Sequence, residues 1–293
     1  MNIVSTGDEN SIHPFIKSIR LPDAQSHKGQ NGKVLVIGGS SLFHGAILWA
    51  AEAVSHFADM THVASTEENN EVMQKIKTMW QGGMVVPQKD ILLYAEEDDV
   101  ILVGNGMMRS GPEGIFTKET VHFLITRFPD KQFVFDAGAL QMMEVKWLTQ
   151  LKKRAVVTPH AKEFFLLFGE DIHSLSIDKK AEAAMRMARE NNCIILLKTV
   201  DDIVTDGERA IVIKGGNAGL TKGGTGDILA GMTAGFLTLS DPLSAAVLAS
   251  FILKKTAERL CAMKGYWYNT ADILTEFPQE LSSLVKKQGG LLG

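Results

Sequence analysis

At 293 residues the chain is long enough for one large α/β domain or two small ones, and 45% hydrophobic with 22% charged residues is ordinary for a soluble globular protein. With 30 basic against 34 acidic side chains the net charge is −4, and no basic run exists to serve a general nucleic-acid binder. The N-terminus lacks the basic and apolar regions of a secretory signal, and no apolar stretch reaches the ~18 residues of a transmembrane helix. Cys193 and Cys261 lie in apolar stretches and read as core residues of a reducing compartment, so a cytoplasmic protein with no membrane contact is expected.

The first 30 residues are polar and irregular, with 1–26 read as an N-terminal arm. Lys33–Gly38 is an apolar run suited to a strand buried on both faces. Gly38-Gly39-Ser40-Ser41 turns it into a helix from His44 that carries Ala46, Ala50, Ala51, Ala53 and Val54. Thr61–Ser65 predicts a second strand, followed by a helix near 67–80 and a short strand at 84–86. The rhythm repeats with a strand at 99–104, a helix around 118–128 and a strand at 132–137. Arg154–Thr158 then precedes Pro159 and a helix from about Lys162.

Ile177–Glu190 shows clean helical spacing with its charges on the opposite face. A strand at 193–198 leads into two antiparallel strands, 202–205 and 209–213, joined by the hairpin signal Asp206-Gly207. The last third reads as helices at 227–237 and 242–263, shorter pieces from Thr270, and a flexible tail at 286–293. Alternating strands and helices imply a mostly parallel sheet covered on both faces. No linker, repeat or low-complexity tract divides the chain, so a single domain over 1–293 is expected.

The chemistry concentrates in Gly223-Gly224-Thr225-Gly226-Asp227, which runs straight into a small-residue helix. Glycines allow a tight turn whose N–H groups converge, and the helix N-terminus adds positive potential, so the segment forms a socket for an anion such as phosphate. Asp227 would repel that anion; its place is as a base toward an oxygen of a second molecule, or as an N-cap. Polar or glycine-rich residues fall at the expected carboxyl ends of five further strands: Gly38–Ser40, Gly104–Gly106, Asp136–Gly138, Thr158–His160 and Lys198. Ligands gather at such ends, although βα loops use the same residue types.

In Thr158-Pro159-His160-Ala161-Lys162-Glu163, His160 and Glu163 share one face of an opening turn. His160 suits a substrate amide or phosphate and Glu163 a metal-bound water; the alternative is a helix start with Glu163 in its first turn. Asp136 is read as a cap first and as a catalytic acid or magnesium contact second. Lys198 suits a nucleotide phosphate or ribose, or else snorkels. There is no G-x-x-x-x-G-K-[ST] motif, and Gly104–Arg109 breaks the dinucleotide pattern at its third glycine.

Taken together these segments resemble the ribokinase-like superfamily and, within it, the NAD(P)HX dehydratase family, also called the YjeF C-terminal domain or carbohydrate-kinase-related family. The likeness runs from His27 to about Leu281 through His27-Lys28-Gly29, Val34–Ser40, Gly45-Ala46, Gly104–Gly106, Asp136-Ala137, Thr158–His160 with Glu163, Leu197-Lys198 and Asn217–Gly231. The resemblance implies a three-layer α/β/α sandwich with a mostly parallel central sheet. It implies a hydro-lyase that phosphorylates the C6 hydroxyl of hydrated NADH or NADPH from ADP or ATP and then loses phosphate.

By position it implies Asp227 as the base, with Gly224, Thr225 and Gly226 supplying backbone N–H groups to the transferring phosphate. Ala46, Gly106 and His160, with Asp227, would bind the hydrated dinucleotide. Lys198, Thr199, Val200, Asp201 and Asp202, with Gly226 and Asn217, would bind the adenine nucleotide. Mg²⁺ would ride on the phosphates, with Glu163 reaching it through water. A homotetramer is implied, as is a separate NAD(P)HX epimerase, since no fused epimerase domain is found in this sequence.

Three positions depart from the family pattern: Thr199 after Lys198, with acidic Asp201 and Asp202 following; Ala218 in place of proline; and Lys222 in place of a small residue. Lys222 either touches a phosphate or stays exposed. The competing readings are a kinase for a small alcohol, such as a vitamin precursor, and a nucleotide-binding regulator without turnover.

Overall fold

A computed structural model describes residues 1–287. Ten strands run β1 Asn2–Ser5, β2 Lys33–Ile37, β3 Met60–Ala64, β4 Met84–Val86, β5 Val100–Val103, β6 Gln132–Phe135, β7 Val156–Val157, β8 Ile194–Leu197, β9 Asp202–Thr205 and β10 Ala210–Lys214. They form one sheet in the order β1-β10-β9-β8-β7-β6-β5-β2-β3-β4. Only β9 runs against its neighbours; every other pairing is parallel.

Side chains alternate across a strand, so an apolar run with no polar face must be covered twice. Val34 and Val36 of β2, with Val100 and Leu102 of β5, enter one core. Leu35 and Ile37, with Ile101 and Val103, enter the other. The first core is closed by helices Gly45–Ser55, Thr225–Phe236, Pro242–Lys264 and Thr270–Lys287, the second by Ile91–Glu97, Gly111–Arg127, Ala161–Phe168 and Ile177–Glu190. The result is the three-layer arrangement with a mostly parallel sheet. No helix among the described residues is long and apolar enough to cross a membrane.

The opening segment departs from expectation. Residues 1–26 are not an irregular arm throughout, because β1 pairs in parallel with β10, Asn2 opposite Ile211 through Ser5 opposite Lys214. Ile12 and Ile16 then enter the core. Near the other end, the expected shorter pieces form a single helix, Thr270–Lys287, with Pro278 inside it. Lys286 and Lys287 of the expected tail are therefore helical, and 288–293 lie outside the described residues. The helix expected around 118–128 starts earlier, at Gly111, where extended Ser110 and Pro112 set its first turn. Ile91–Glu97 and Ala137–Met142 are further helices that the sequence pattern did not announce.

Helix Thr225–Phe236 is nearly all buried and lies against helix Gly45–Ser55. The approach is close enough that a Cβ on Gly231 would stand 2.3 Å from the Ala50 carbonyl oxygen. Small residues here set the height and tilt of the helix that carries Asp227. Gly231→Val should destabilise the fold by about 1–3 kcal/mol through overpacking. Gly223→Ala, whose Cβ meets nothing within 4 Å, should stay within about 0.5 kcal/mol of the parent. Urea unfolding of both variants checks the contrast; equal stability would remove the packing argument.

Candidate active site

The carboxyl ends of β2, β5, β6, β7 and β8 lead directly into Gly38, Gly104, Asp136, Thr158 and Lys198. Helix Thr225–Phe236 points its N-terminus toward them. Gly224 caps it in the left-handed region at φ 95°, with no side-chain cap bond, and a Cβ there would sit 2.5 Å from the Trp49 ring. The first bond of the helical ladder runs from Ile228 N–H to the Gly224 carbonyl at 3.0 Å. The amides of Gly226 and Asp227 precede it and take no acceptor among the described residues, so they are available to an anion. Thr225 serves the socket differently: its hydroxyl donates to the carbonyls of Leu220 at 2.7 Å and Lys222 at 2.9 Å. Its amide also turns back to Lys222, so Thr225 shapes the loop and offers no group to a phosphate.

Behind the socket lies a chain of buried polar groups. The Asn105 amide nitrogen donates to Asp227 Oδ1 at 2.8 Å and to Asp136 Oδ2 at 2.9 Å. Asp136 Oδ1 accepts from Thr158 Oγ1 and from Lys198 Nζ, each at 2.7 Å. The sequence led to the expectation that Asp136 caps its helix, but no side-chain cap bond is made there, and long-range donors hold the carboxylate instead. Lys198 Nζ also lies 3.6 Å from Glu163 Oε2. Burial alone would push Lys198 down, but Asp136 and Glu163 outweigh it and hold the ammonium firmly protonated.

Burial, and then the charges of Asp136 and Glu163, push Asp227 up to about 7, against the opposing pull of Asn105 and Lys198. A carboxylate at that value accepts a proton readily near neutrality. Asn105 went unrecognised as a site residue. Its only signal was a polar side chain between two glycines directly after a strand.

His160 and Glu163 form a reciprocal capping box. His160 Nδ1 accepts the amides of Lys162 and Glu163 at 3.2 Å each, and Glu163 Oε2 accepts the His160 amide at 3.0 Å. Glu163 Oε1 faces Gln141 Nε2 and His160 Nε2, each at 3.3 Å. Both carboxylate oxygens are thus engaged by protein donors, and no three His, Cys, Asp or Glu side chains are grouped to hold a metal ion among the described residues. Glu163, expected to reach Mg²⁺ through water, thus has both oxygens in contact with protein donors.

Two cavities meet at the start of helix Thr225–Phe236. One, of about 660 Å³, is lined by Lys198, Thr199, Val200, Asp202, Asn217, Thr225 and Gly226. The other, of about 370 Å³, is lined by Ala46, Gly106, Gln141, Glu163 and Asp227. Gly226 and Asp227, adjacent in sequence, therefore face different rooms. His160, expected beside Ala46 and Gly106, lines the larger cavity instead, because the capping box fixes its ring on that side. Asp201 lines neither; its carbonyl accepts the Thr199 hydroxyl.

Several expected nucleotide contacts have internal partners. Asp202 accepts the Thr199 amide at 2.9 Å and the Ser250 hydroxyl at 2.7 Å, with Lys254 Nζ at 3.6 Å, so its charge is turned into the fold. The Asn217 side chain accepts from the Gly219 amide and Tyr268 hydroxyl and donates to the Ala257 carbonyl. Lys222 is exposed, the second of its two expected readings, with its ammonium donating to the carbonyls of Tyr266 and Tyr268 and lying 5.0 Å from the Tyr268 ring centre.

A family profile described as NAD(P)H-hydrate dehydratase matches residues 34–279. A bifunctional NAD(P)H-hydrate repair enzyme of Methanocaldococcus jannaschii is 30% identical over 273 residues, which are 91% of this chain but 51% of that protein. The chain thus spans about half the length of the bifunctional relatives. An ADP-dependent (S)-NAD(P)H-hydrate dehydratase of Cenarchaeum symbiosum is 30% identical over 285 residues, covering 92% of this chain and 94% of its own. Among solved structures, a ribokinase-like superfamily protein of Enterococcus faecalis superposes with a TM-score of 0.80 at 23% identity over 97% of this chain and 96% of that one.

The ADP/ATP-dependent NAD(P)H-hydrate dehydratase of Bacillus subtilis, co-crystallised with ATP/Mg²⁺, gives a TM-score of 0.79 at 24% identity over 95% and 97%. The fold is ribokinase-like, and the chain belongs to the NAD(P)H-hydrate dehydratase family.

The raised Asp227 value carries a stability consequence. Its folded value, about 7, lies above the ordinary aspartate value of 3.8 that holds in the unfolded chain. The folded state therefore holds a proton that the unfolded state has released, and stability falls as pH rises from about 4 through about 7. Asp227→Asn removes that cost and should be more stable than the parent by about 2–4 kcal/mol at pH 8. At pH 4 the difference should shrink to about 0.5 kcal/mol or less. Denaturant melts at both pH values test this; a difference that does not grow with pH would show that Asp227 is not held protonated by the fold.

Proposed function

We propose that the chain removes water from hydrated NADH and NADPH with an adenine nucleotide as co-substrate. The observation that carries the reading is the division of labour at the helix start, where Gly226 lines the larger cavity and Asp227 the smaller one. A nucleotide in the larger cavity brings its terminal phosphate to the amides of Gly226 and Asp227, beside Lys198. A hydrated nicotinamide ring in the smaller cavity, against Ala46 and Gly106, brings its C6 hydroxyl to Asp227.

The chemistry follows from these placements. Asp227 takes the hydroxyl proton while the oxygen attacks the terminal phosphorus, and the bond from phosphorus to the nucleotide's bridging oxygen breaks. The two free amides face the charge that builds on the transferring group. Phosphate then leaves with the C6–O bond, driven by the ring nitrogen's electron pair, and loss of a C5 proton restores the ring double bond. Asn105 keeps one Asp227 oxygen occupied, which leaves Oδ2 for the substrate. Mg²⁺ arrives on the nucleotide's phosphates, since among the described residues no three His, Cys, Asp or Glu side chains are grouped to hold it. A homotetramer in the cytoplasm and a hydrate epimerase as functional partner belong to the same proposal.

Incubation with hydrated NADH and ADP or ATP should regenerate the absorbance band of the reduced ring with release of one free phosphate per turnover. A stable phosphorylated product would favour the small-alcohol kinase instead, and no turnover with either nucleotide would overturn the proposal. Asp227→Ala should slow the reaction by roughly 10²–10⁴-fold. With Asp227 as base, kcat/KM should rise with pH through about 7 and level off above it. Asn105→Ala, by removing a donor that favours the carboxylate, should move that midpoint upward.

A further inference from the structure

We infer that the adenosine half of the hydrated dinucleotide lies in a third cavity beside the base, and that this cavity selects NADHX over NADPHX. The inference rests on the dehydratase reading. The cavity, about 440 Å³, opens between helices Ile91–Glu97 and Gly111–Arg127 over the carboxyl ends of β2 and β3. Its walls include Leu92, Phe116 and Phe123, which are 46–47% exposed, a large apolar surface left open to solvent.

Three observations assign the occupant. First, Met107 and Met108 line both this cavity and the one that holds Asp227, so a single extended ligand can occupy both. Second, Arg109 follows them directly in sequence, lines the Asp227 cavity and makes no ion pair among the described residues. A pyrophosphate joining the two halves of a dinucleotide supplies the anion that such an arginine takes. Third, flat Phe faces and polarizable Met side chains are a fitting wall for a purine ring.

The charge of the lining supplies the selectivity. Glu113 and Glu119 are the only charged side chains among the residues that line the cavity. Glu113 already holds the Ser41 hydroxyl at 2.5 Å; Glu119 is exposed at the rim. A ribose 2′-hydroxyl can donate to a carboxylate, as acidic residues do in NAD sites. A 2′-phosphate carries about −1.5 to −2 charges at neutral pH and would meet two carboxylates with no cation on the cavity wall. Discrimination by such repulsion acts against the wrong substrate without adding affinity for the right one.

The test compares kcat/KM for three substrates: hydrated NADH, hydrated NADPH and hydrated reduced nicotinamide mononucleotide, which lacks the adenosine half. The expectation is roughly 10–100-fold preference for hydrated NADH over hydrated NADPH, and a loss of at least about 10-fold for the mononucleotide. Phe123→Ser should lower kcat/KM for hydrated NADH and leave the mononucleotide unchanged. Glu119→Lys should raise kcat/KM for hydrated NADPH relative to hydrated NADH. Equal use of mononucleotide and dinucleotide, or a preference for hydrated NADPH, would overturn the inference while leaving the dehydratase reading in place. Turnover of none of the three would overturn both.

Discussion

Three carboxylates, Asp136, Glu163 and Asp227, share one ammonium group. Lys198 bonds Asp136 directly, lies 3.6 Å from Glu163 and reaches Asp227 only through field. An ammonium in so sheltered a place needs partners to stay charged, and Asp136 at 2% exposure needs a cation even more. The pair joins the end of β8 to the end of β6, across β7, while the Lys198 amide bonds the Pro159 carbonyl at 2.8 Å. The same balance leaves Asp227 short of compensation. Burial first, and then a deficit of positive charge set by which residues the sheet brings together, makes an aspartate basic near neutrality.

The scaffold fixes that arrangement from several directions. Helix Gly45–Ser55 sets the position of helix Thr225–Phe236 through Gly231, and Trp49 covers Gly224 at its start. On the far side, Thr6, just after β1, bonds Glu258, and the same Glu258 oxygen accepts the Gly216 amide at 2.9 Å. The first residues of the chain therefore brace a loop that lines the larger cavity. Rigid support of this kind lets two cavities meet at adjacent residues without either being built on a free loop.

The central strands were legible because each is a short apolar run that has to be covered on both faces, as in Val34–Ile37 and Val100–Val103. The hairpin at Asp206-Gly207 and the anion socket were legible because turn chemistry is local. What escaped depends on distant partners. β1 has four residues, with Asn2 and Ile3 exposed, and only its pairing with Ile211–Lys214 makes it a strand. Asp136 looked like a cap because Thr158 and Lys198 are far away in sequence. Asp202 looked like a misplaced acid in a nucleotide loop until Ser250 and Lys254 were seen to receive it. His160 was expected beside Ala46 and Gly106 but lines the other cavity, because residue type predicts chemistry whereas the capping box decides which way the ring faces.

The pairing of β1 with β10 also orders events in time. A chain grows from its N-terminus, and parallel, long-range strand pairing is the slow part of folding. Asn2–Ser5 is made before every other strand of the sheet, yet its partner strand, Ala210–Lys214, is made after all of them. Glu258, which ties Thr6 to the loop at Gly216, comes later still. β1 must therefore wait unpaired until β10 has been made, so the sheet edge and one wall of the larger cavity are completed together and after the other strands.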